Sequence, residues 1–294
     1  MTIAIGGLVI EIRSTKNLPF LPNKRFLPFQ AHTGHSQITW EYHLVKPALE
    51  DQKKNNPATS PGNRTRHALS ASHQRCSSPV DACLQHAREN NEWTAIEVNA
   101  GAVTVLDFKK NRADIFFGPK FANELCAIGI GSAMLAPFLP NFEACLLHAA
   151  AVVRNGRAAV FLAPDEGGKT TAARLAPSGT ILGDDQVLAR LSADGFEISG
   201  TPWGLHVDSK LKAPLSGFFL LEKASDFSLT PLRTRELLPL LWTEAECHTA
   251  IMPRRLKKKA FALTYELAAA VPAWKMSFKK DDINWDEIDK KMAG

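Results

Sequence analysis

The stretch VFLAPDEGGKTT, residues 160–171, joins an apolar run to a short turn that ends in Gly-Lys-Thr-Thr. The apolar run predicts a strand, and KTTAARLAP beyond the turn predicts a helix. A strand that ends in a glycine-containing turn and opens a helix aims successive backbone N–H groups, and the positive end of the helix dipole, at one point. That construction binds phosphate. Lys169 adds a full positive charge, and the Thr170 hydroxyl is suited to magnesium. The start of the loop departs from the usual pattern. Ala163 stands where a first glycine is expected, and Asp165 and Glu166 bring two acids into the turn.

The flanking segments place this loop in a sheet. CLLHAAAVVRNG, residues 145–156, predicts a strand that turns at Asn155-Gly156 into a second strand, RAAVFLA. After the helix, TILGDDQVLARL (180–191) predicts a strand, Ala193-Asp194-Gly195 a turn, and FEISGTPW a further strand. Strands on both sides of one helix, with two hairpin turns between neighbours, call for a mixed rather than purely parallel sheet in an α/β (α+β) fold.

Two features of these strands carry chemistry. Asp184-Asp185 lies at the middle of an apolar run, where paired carboxylates are costly to bury unless they meet a cation or hydrogen-bond donors. One could hold a metal while the other takes the proton of an attacking hydroxyl. The competing reading is a strand edge or bulge where both acids reach water. His148, on the strand before the loop, is either a satisfied core histidine or a group facing the same cleft.

In this order, LHAAAVVRNGRAAVFLAPDEGGKTTAARL, LGDDQVLARL and GTPWG resemble the HPr kinase/phosphorylase catalytic domain and its shorter relatives. The likeness is strong over about residues 145–206 and loose over 1–46 and 90–290. GTPWG is most like short relatives in modified-peptide gene clusters, including lasso-peptide kinases and the SynChlorMet cassette proteins. The resemblance implies a P-loop-type fold shared with phosphoenolpyruvate carboxykinase, ATP with Mg2+ as cofactors, and phosphorylation of a serine hydroxyl on a peptide or protein. Under it, Gly167, Gly168, Lys169, Thr170 and Thr171 would bind the nucleotide, and Thr170 and Asp185 the metal. Asp184, Asp185 and His148 would form the catalytic set. The family's loop has glycine at the positions of Ala163 and Glu166. A carboxylate within about 5 Å of a triphosphate would repel it unless it points outwards. The altered loop therefore also fits a degenerate nucleotide-binding fold kept as a non-catalytic peptide-binding or assembly module.

The rest of the chain frames this core. LVIEI and QITWEYHLV predict N-terminal strands within 1–46 that pack on the main domain, with proline-rich NLPFLPNKRFLPF as an extended connection. Residues 47–91 are polar and rich in Ser, Asn and Pro, which predicts a flexible insertion, with a short helix at VDACLQHAREN. Within the nucleotide-binding domain, 92–294, WTAIEVNAG, AVTVLDF and ADIFFG predict a meander and ANELCAIGIGSAMLAPFL a helix. Further on, LSGFFLLEK predicts a strand, RELLPLLWTEAECHTAI and RRLKKKAFALTYELAAAV two helices, and the C-terminal run a last strand and short helix.

The five cysteines, odd in number and without a CxxC pair, fit reduced thiols in a cytoplasmic protein, with Cys145 a core residue. No signal peptide or membrane anchor is expected. The net charge of +5 does not by itself point to nucleic acid, and the basic run Arg254-Arg255-Leu256-Lys257-Lys258-Lys259 has no interleaved aromatics. That run reads as a solvated helix face or as a grip for an acidic peptide. Trp203 reads as a packing residue rather than a cover for a ligand, and no second cluster of acids and histidines suggests a manganese site. A peptide or protein substrate, no nucleic acid, no membrane and a homo-oligomer are the partner expectations.

Overall fold

The computed structural model describes residues 2–14, 24–31, 34–44, 93–98, 102–117, 128–204, 211–245, 251–279 and 283–293. The expected insertion at 47–91 and its short helix, and every cysteine except Cys145, lie outside them. The chain is a mixed α/β protein with two sheets. It divides into two compact units: Met1–Ile12, Leu21–Thr39 and Cys126–Gly294 in the first, Arg13–Phe20 and Trp40–Leu125 in the second.

The strands are β1 (Thr2–Ile5), β2 (Leu8–Ser14), β3 (Ile38–Leu44), β4 (Trp93–Val98), β5 (Ala102–Asp107), β6 (Arg112–Phe117), β7 (Ala144–His148), β8 (Ala150–Arg154), β9 (Arg157–Leu162), β10 (Thr180–Gly183), β11 (Gln186–Ser192), β12 (Gly195–Gly200), β13 (Lys212–Lys223), β14 (Ser228–Leu232) and β15 (Ala273–Phe278). The α-helices are α1 (Ile128–Leu135), α2 (Lys169–Arg174), α3 (Thr234–Glu244), α4 (Arg254–Ala270) and α5 (Trp285–Ala293). Among the described residues no helix is long and apolar enough to cross a membrane.

In the second unit the expected meander forms: β4 pairs antiparallel with β5 and β5 with β6. Its core holds Trp40, Tyr42, Val105, Leu106, Phe108, Ile115 and Phe117.

The first unit contains the nine-stranded sheet, ordered β10-β8-β9-β13-β12-β11-β7, with β15 on β13 and β14 on β15. It is mixed, as expected: β13 runs parallel to β9 and β15, while the other pairs are antiparallel. The Asn155-Gly156 turn has φ of 52° and 74°, the two left-handed residues of a type I′ hairpin turn, whose twist matches that of the strands it joins. β13 pairs through Lys212–Pro214 with β12, then shifts register between Leu215 and Gly217 and continues against β9 and β15. Gly217 is needed there, because a Cβ would stand 2.8 Å from the Trp274 ring, which stacks on Phe219 at 5.3 Å. One face of this sheet is closed by α2 and α5 over a core of Val152, Phe161, Ala172, Phe219, Trp274, Met276, Trp285, Ile288 and Met292.

Four expectations need correction. Residues 24–29 are not extended but form a 3-10 helix, which carries Pro28 and buries Phe29. A short 3-10 run is a set of consecutive tight turns, such as that closed by the Gln30 N–H on the Leu27 carbonyl, and a proline with its fixed φ fits such a turn. The segment 145–154 is two strands rather than one, broken at Ala149. The segment 180–192 is likewise two strands, broken at Asp184-Asp185, so the acids do not lie inside a strand. The helix expected across 122–139 is α-helical only over α1 and continues as a 3-10 helix through Ala136–Phe142; residues 121–127 lie outside the described set. β1 and β14 have no counterpart in the sequence reading.

Candidate functional site

The two strand breaks lie opposite each other, and this builds the site. β7 pairs with β11 up to the His148–Gln186 pair, and β8 pairs with β10 from Ala151–Gly183 onward. Between them the Ala149 N–H donates to the Asp185 carbonyl at 3.0 Å. A bend replaces the ladder, and Gly183 permits it: a Cβ there would stand 2.9 Å from the Gln186 carbonyl oxygen. The result separates the two acids. Asp184 is buried at 3% exposure, whereas the Asp185 side chain is 55% exposed.

His148 is the meeting point. Its Nε2 lies 3.4 Å from Asp185 Oδ1 and 3.5 Å from Asp165 Oδ1, and its Nδ1 lies 3.2 Å from Glu244 Oε2. Either ring nitrogen, when it carries a proton, faces a carboxylate able to accept it. Glu244 was not found from sequence. It ends α3, 96 positions after His148 by their numbers (244 minus 148), and is brought there by the bridge between Ala245 and Leu147 on β7. No local signal could have linked them. Asp165, read as an obstacle in the loop, is a partner of the histidine.

The loop Ala163–Gly168 connects β9 to α2. Lys169 is buried, and its Nζ donates to the Ala163 carbonyl at 2.7 Å and to the Pro164 carbonyl at 3.4 Å. A buried ammonium needs such acceptors, and the turn supplies them. Thr170 Oγ1 donates to the Asp184 carbonyl at 3.3 Å, which ties the first turn of α2 to the bend carrying the acids. Gly168, at φ 99°, caps the helix, and Thr171 is half-buried one residue beyond Thr170.

The two departures in the loop have local explanations. The Ala163 methyl belongs to the core under the sheet, and Gly167 makes room for it: a Cβ at 167 would stand 2.5 Å from that methyl and 2.8 Å from the Pro164 oxygen. Glu166 is exposed and left-handed at φ 60°, the conformation that glycine adopts at no steric cost. The structure therefore keeps the backbone of a glycine at 166 while the sequence supplies a glutamate.

Other candidates resolve differently. Trp203 is buried and meets Phe26 edge-on at 6.4 Å, in keeping with packing. Contrary to the sequence reading, a second cluster of acids and a histidine exists: Glu41, His43 and Asp114 in the second unit. Arg112 already lies within it, 2.6 Å from Asp114 and 2.9 Å from Glu41. A guanidinium there supplies the positive charge that a metal ion would bring. A cavity of about 410 Å3 is lined by Gly6, Gly7, Arg190, Ser199 and Lys212, but its cations serve the fold, Arg190 bonding the Gly6 carbonyl and Lys212 pairing with Glu197.

The main site thus combines a turn opening a helix, a lysine, a hydroxyl, an exposed carboxylate and an imidazole. Such a set can hold an anion at the loop and take a proton at Asp185. Compared with known proteins, the chain matches no family and no curated protein.

Proposed function

We propose that the chain is an ATP-dependent phosphotransferase of the HPr kinase-like type, with the P-loop-type fold that this class implies. Its acceptor would be a hydroxyl, serine first, on a peptide or protein in modified-peptide biosynthesis. The observation that carries this reading is the pair of facing strand breaks. They set His148 and Asp185 together, while Thr170 ties the start of α2 to the same bend.

The residues present fit magnesium-ATP. Thr170 and Asp185 offer the hard oxygen ligands that magnesium takes. Gly167 keeps open a turn that any side chain would fill. When bound, magnesium-ATP would supply the transferable phosphoryl group and the charge that screens it. Lys169 would exchange the Ala163 and Pro164 carbonyls, which take two of its three donors, for phosphate oxygens. Gly168 and Thr171 would complete the phosphate contacts. Asp185, exposed beside His148, would accept the proton of the acceptor hydroxyl. Glu244 and His148 would hold that carboxylate in place, and Asp184, buried in the bend, would support it.

A specific observation favours the second reading, a non-catalytic peptide-binding or assembly module: in this structure Lys169 is satisfied by its own loop and Glu166 sits in the turn. Two measurements separate the readings. Titration calorimetry should detect magnesium-dependent ATP binding, and transfer of labelled phosphate from ATP should vanish in Lys169→Ala. Absence of any magnesium-ATP heat, or unchanged turnover in Lys169→Ala, defeats the phosphotransfer mechanism.

A further inference from the structure

We propose that the outer face of α4 is a docking surface for an acidic peptide segment that also carries aromatic or aliphatic side chains. α4 buries Leu256, Ala260, Leu263, Thr264, Leu267 and Ala268 on one side. The opposite side presents Arg254, Lys257, Lys258, Phe261 and Tyr265, all exposed. Lys257, Phe261 and Tyr265 follow one another at intervals of four, so they form one row along the helix. Phe261 and Tyr265, at 51% and 53%, are the most exposed large hydrophobic residues among those described. Trp242 of α3 meets Phe261 edge-on at 5.4 Å, which extends the apolar patch onto a second helix.

The basic run is not explained by the stability of the helix. Five of the first six residues of α4 are basic and its first turn has no acid, although cations are disfavoured at the positive end of a helix dipole. Among the described residues, no carboxylate pairs with Arg254, Lys257, Lys258 or Lys259. An uncompensated positive patch that adjoins exposed rings is complementary to a negative segment with apolar anchors, and aromatic side chains are typical anchors of protein interfaces. The arrangement suits a peptide better than a nucleic acid. Single strands call for cations and rings interleaved along the path of the backbone, whereas here the cations occupy the first two turns and the rings the next two. The surface is distinct from the phosphate site, since Trp242 and Glu244, two positions apart, project from different sides of α3. It therefore stands whether or not the chain transfers phosphate.

The test is selection of a random-peptide phage library on the full chain without nucleotide, followed by titration of the enriched peptides by fluorescence anisotropy. Enriched sequences should combine acidic with aromatic or aliphatic residues. Their affinity should fall about tenfold or more in Lys257→Glu with Lys258→Glu and in Phe261→Ser. It should be unchanged in Lys169→Ala and in Lys290→Glu with Lys291→Glu on α5. Circular dichroism melts would show that the variants fold. The inference is overturned if enriched peptides lack acidic bias, or if the α4 substitutions leave affinity unchanged. It is equally overturned if oligothymidylate, or phosphatidylcholine vesicles containing phosphatidylserine, binds this face more tightly than the peptides.

Discussion

Glu166 carries a backbone cost that a glycine would not, as Glu143 and Ser178 do at φ 54° and 53°. A side chain at φ 60° brings Cβ close to the neighbouring carbonyl, a penalty of about 1–2 kcal/mol that glycine does not meet. Glu166→Gly should therefore raise the unfolding free energy by roughly 0.5–1 kcal/mol once the greater freedom of an unfolded glycine is deducted, read as a higher urea midpoint. A lower midpoint would mean that Glu166 makes contacts worth more than its strain. Under the phosphotransfer reading the same change also removes a carboxylate from the turn, and the magnesium-ATP affinity measured by calorimetry should rise. Under that reading Lys169 and Glu166 would act oppositely: one would neutralise an incoming phosphate, and the other would oppose it. Residue types alone made this conflict visible in the sequence, but not the roles of Asp165 and Ala163. Those depended on His148 being 3.5 Å away and on a core beneath the loop.

Strand pairing places charges where no local pattern announces them. On β3 and β6, His43 Nε2 lies 2.8 Å from Asp114, and Arg112 holds both Asp114 oxygens. Burial pushes the Asp114 carboxyl up, but the hydrogen bonds from His43 and Arg112, with the Arg112 charge, outweigh it and hold the group below its ordinary 3.8. A carboxyl with a lowered folded pKa stabilises the fold fully above the unfolded value of 3.8 and loses that contribution as pH falls through the lower folded value. Asp114→Asn should cost about 1–3 kcal/mol at neutral pH and flatten the acid side of the curve of urea midpoint against pH. Parallel curves for the two proteins would count against this assignment. Most strands were legible because alternation and turn residues act within a few positions. β14 was not, since SLTPL is mostly exposed and owes its strand form to pairing with β15. The break at Ala149 was hidden too, because small apolar residues continue the run beyond it, whereas the one at Asp184-Asp185 had a signal in the polar Gly183–Gln186 stretch, read as an alternative to a continuous strand.

The first unit is closed by its last helix. α5 buries Trp285, Ile288 and Met292 in the core that also holds Ala163 and Ala172, and Arg154 links it to β8 through Asp289 at 2.6 and 2.9 Å while lying over the Trp285 ring. At about 1.5–3 kcal/mol for each buried side chain, these three contribute roughly 5–9 kcal/mol, comparable with the whole stability of a typical domain. Truncation after Ile283 should abolish cooperative unfolding, read by near-ultraviolet circular dichroism through a urea titration. A retained sigmoidal transition would show that the core closes without the helix. Sequence alone determined the local elements of this protein: the type I′ turn at Asn155-Gly156, the strand-turn-helix around Lys169, and the mixed character of the sheet. These follow from backbone preferences and side-chain periodicity over short spans. The tertiary structure decided which acids belong to the site. Asp184 was withdrawn into the bend, Asp185 was left at the surface, Asp165 was turned to account, and Glu244 was added from a distant helix. Such choices depend on which strands become neighbours and where their ladders break, and those long-range pairings leave no trace in the spacing of residues along the chain.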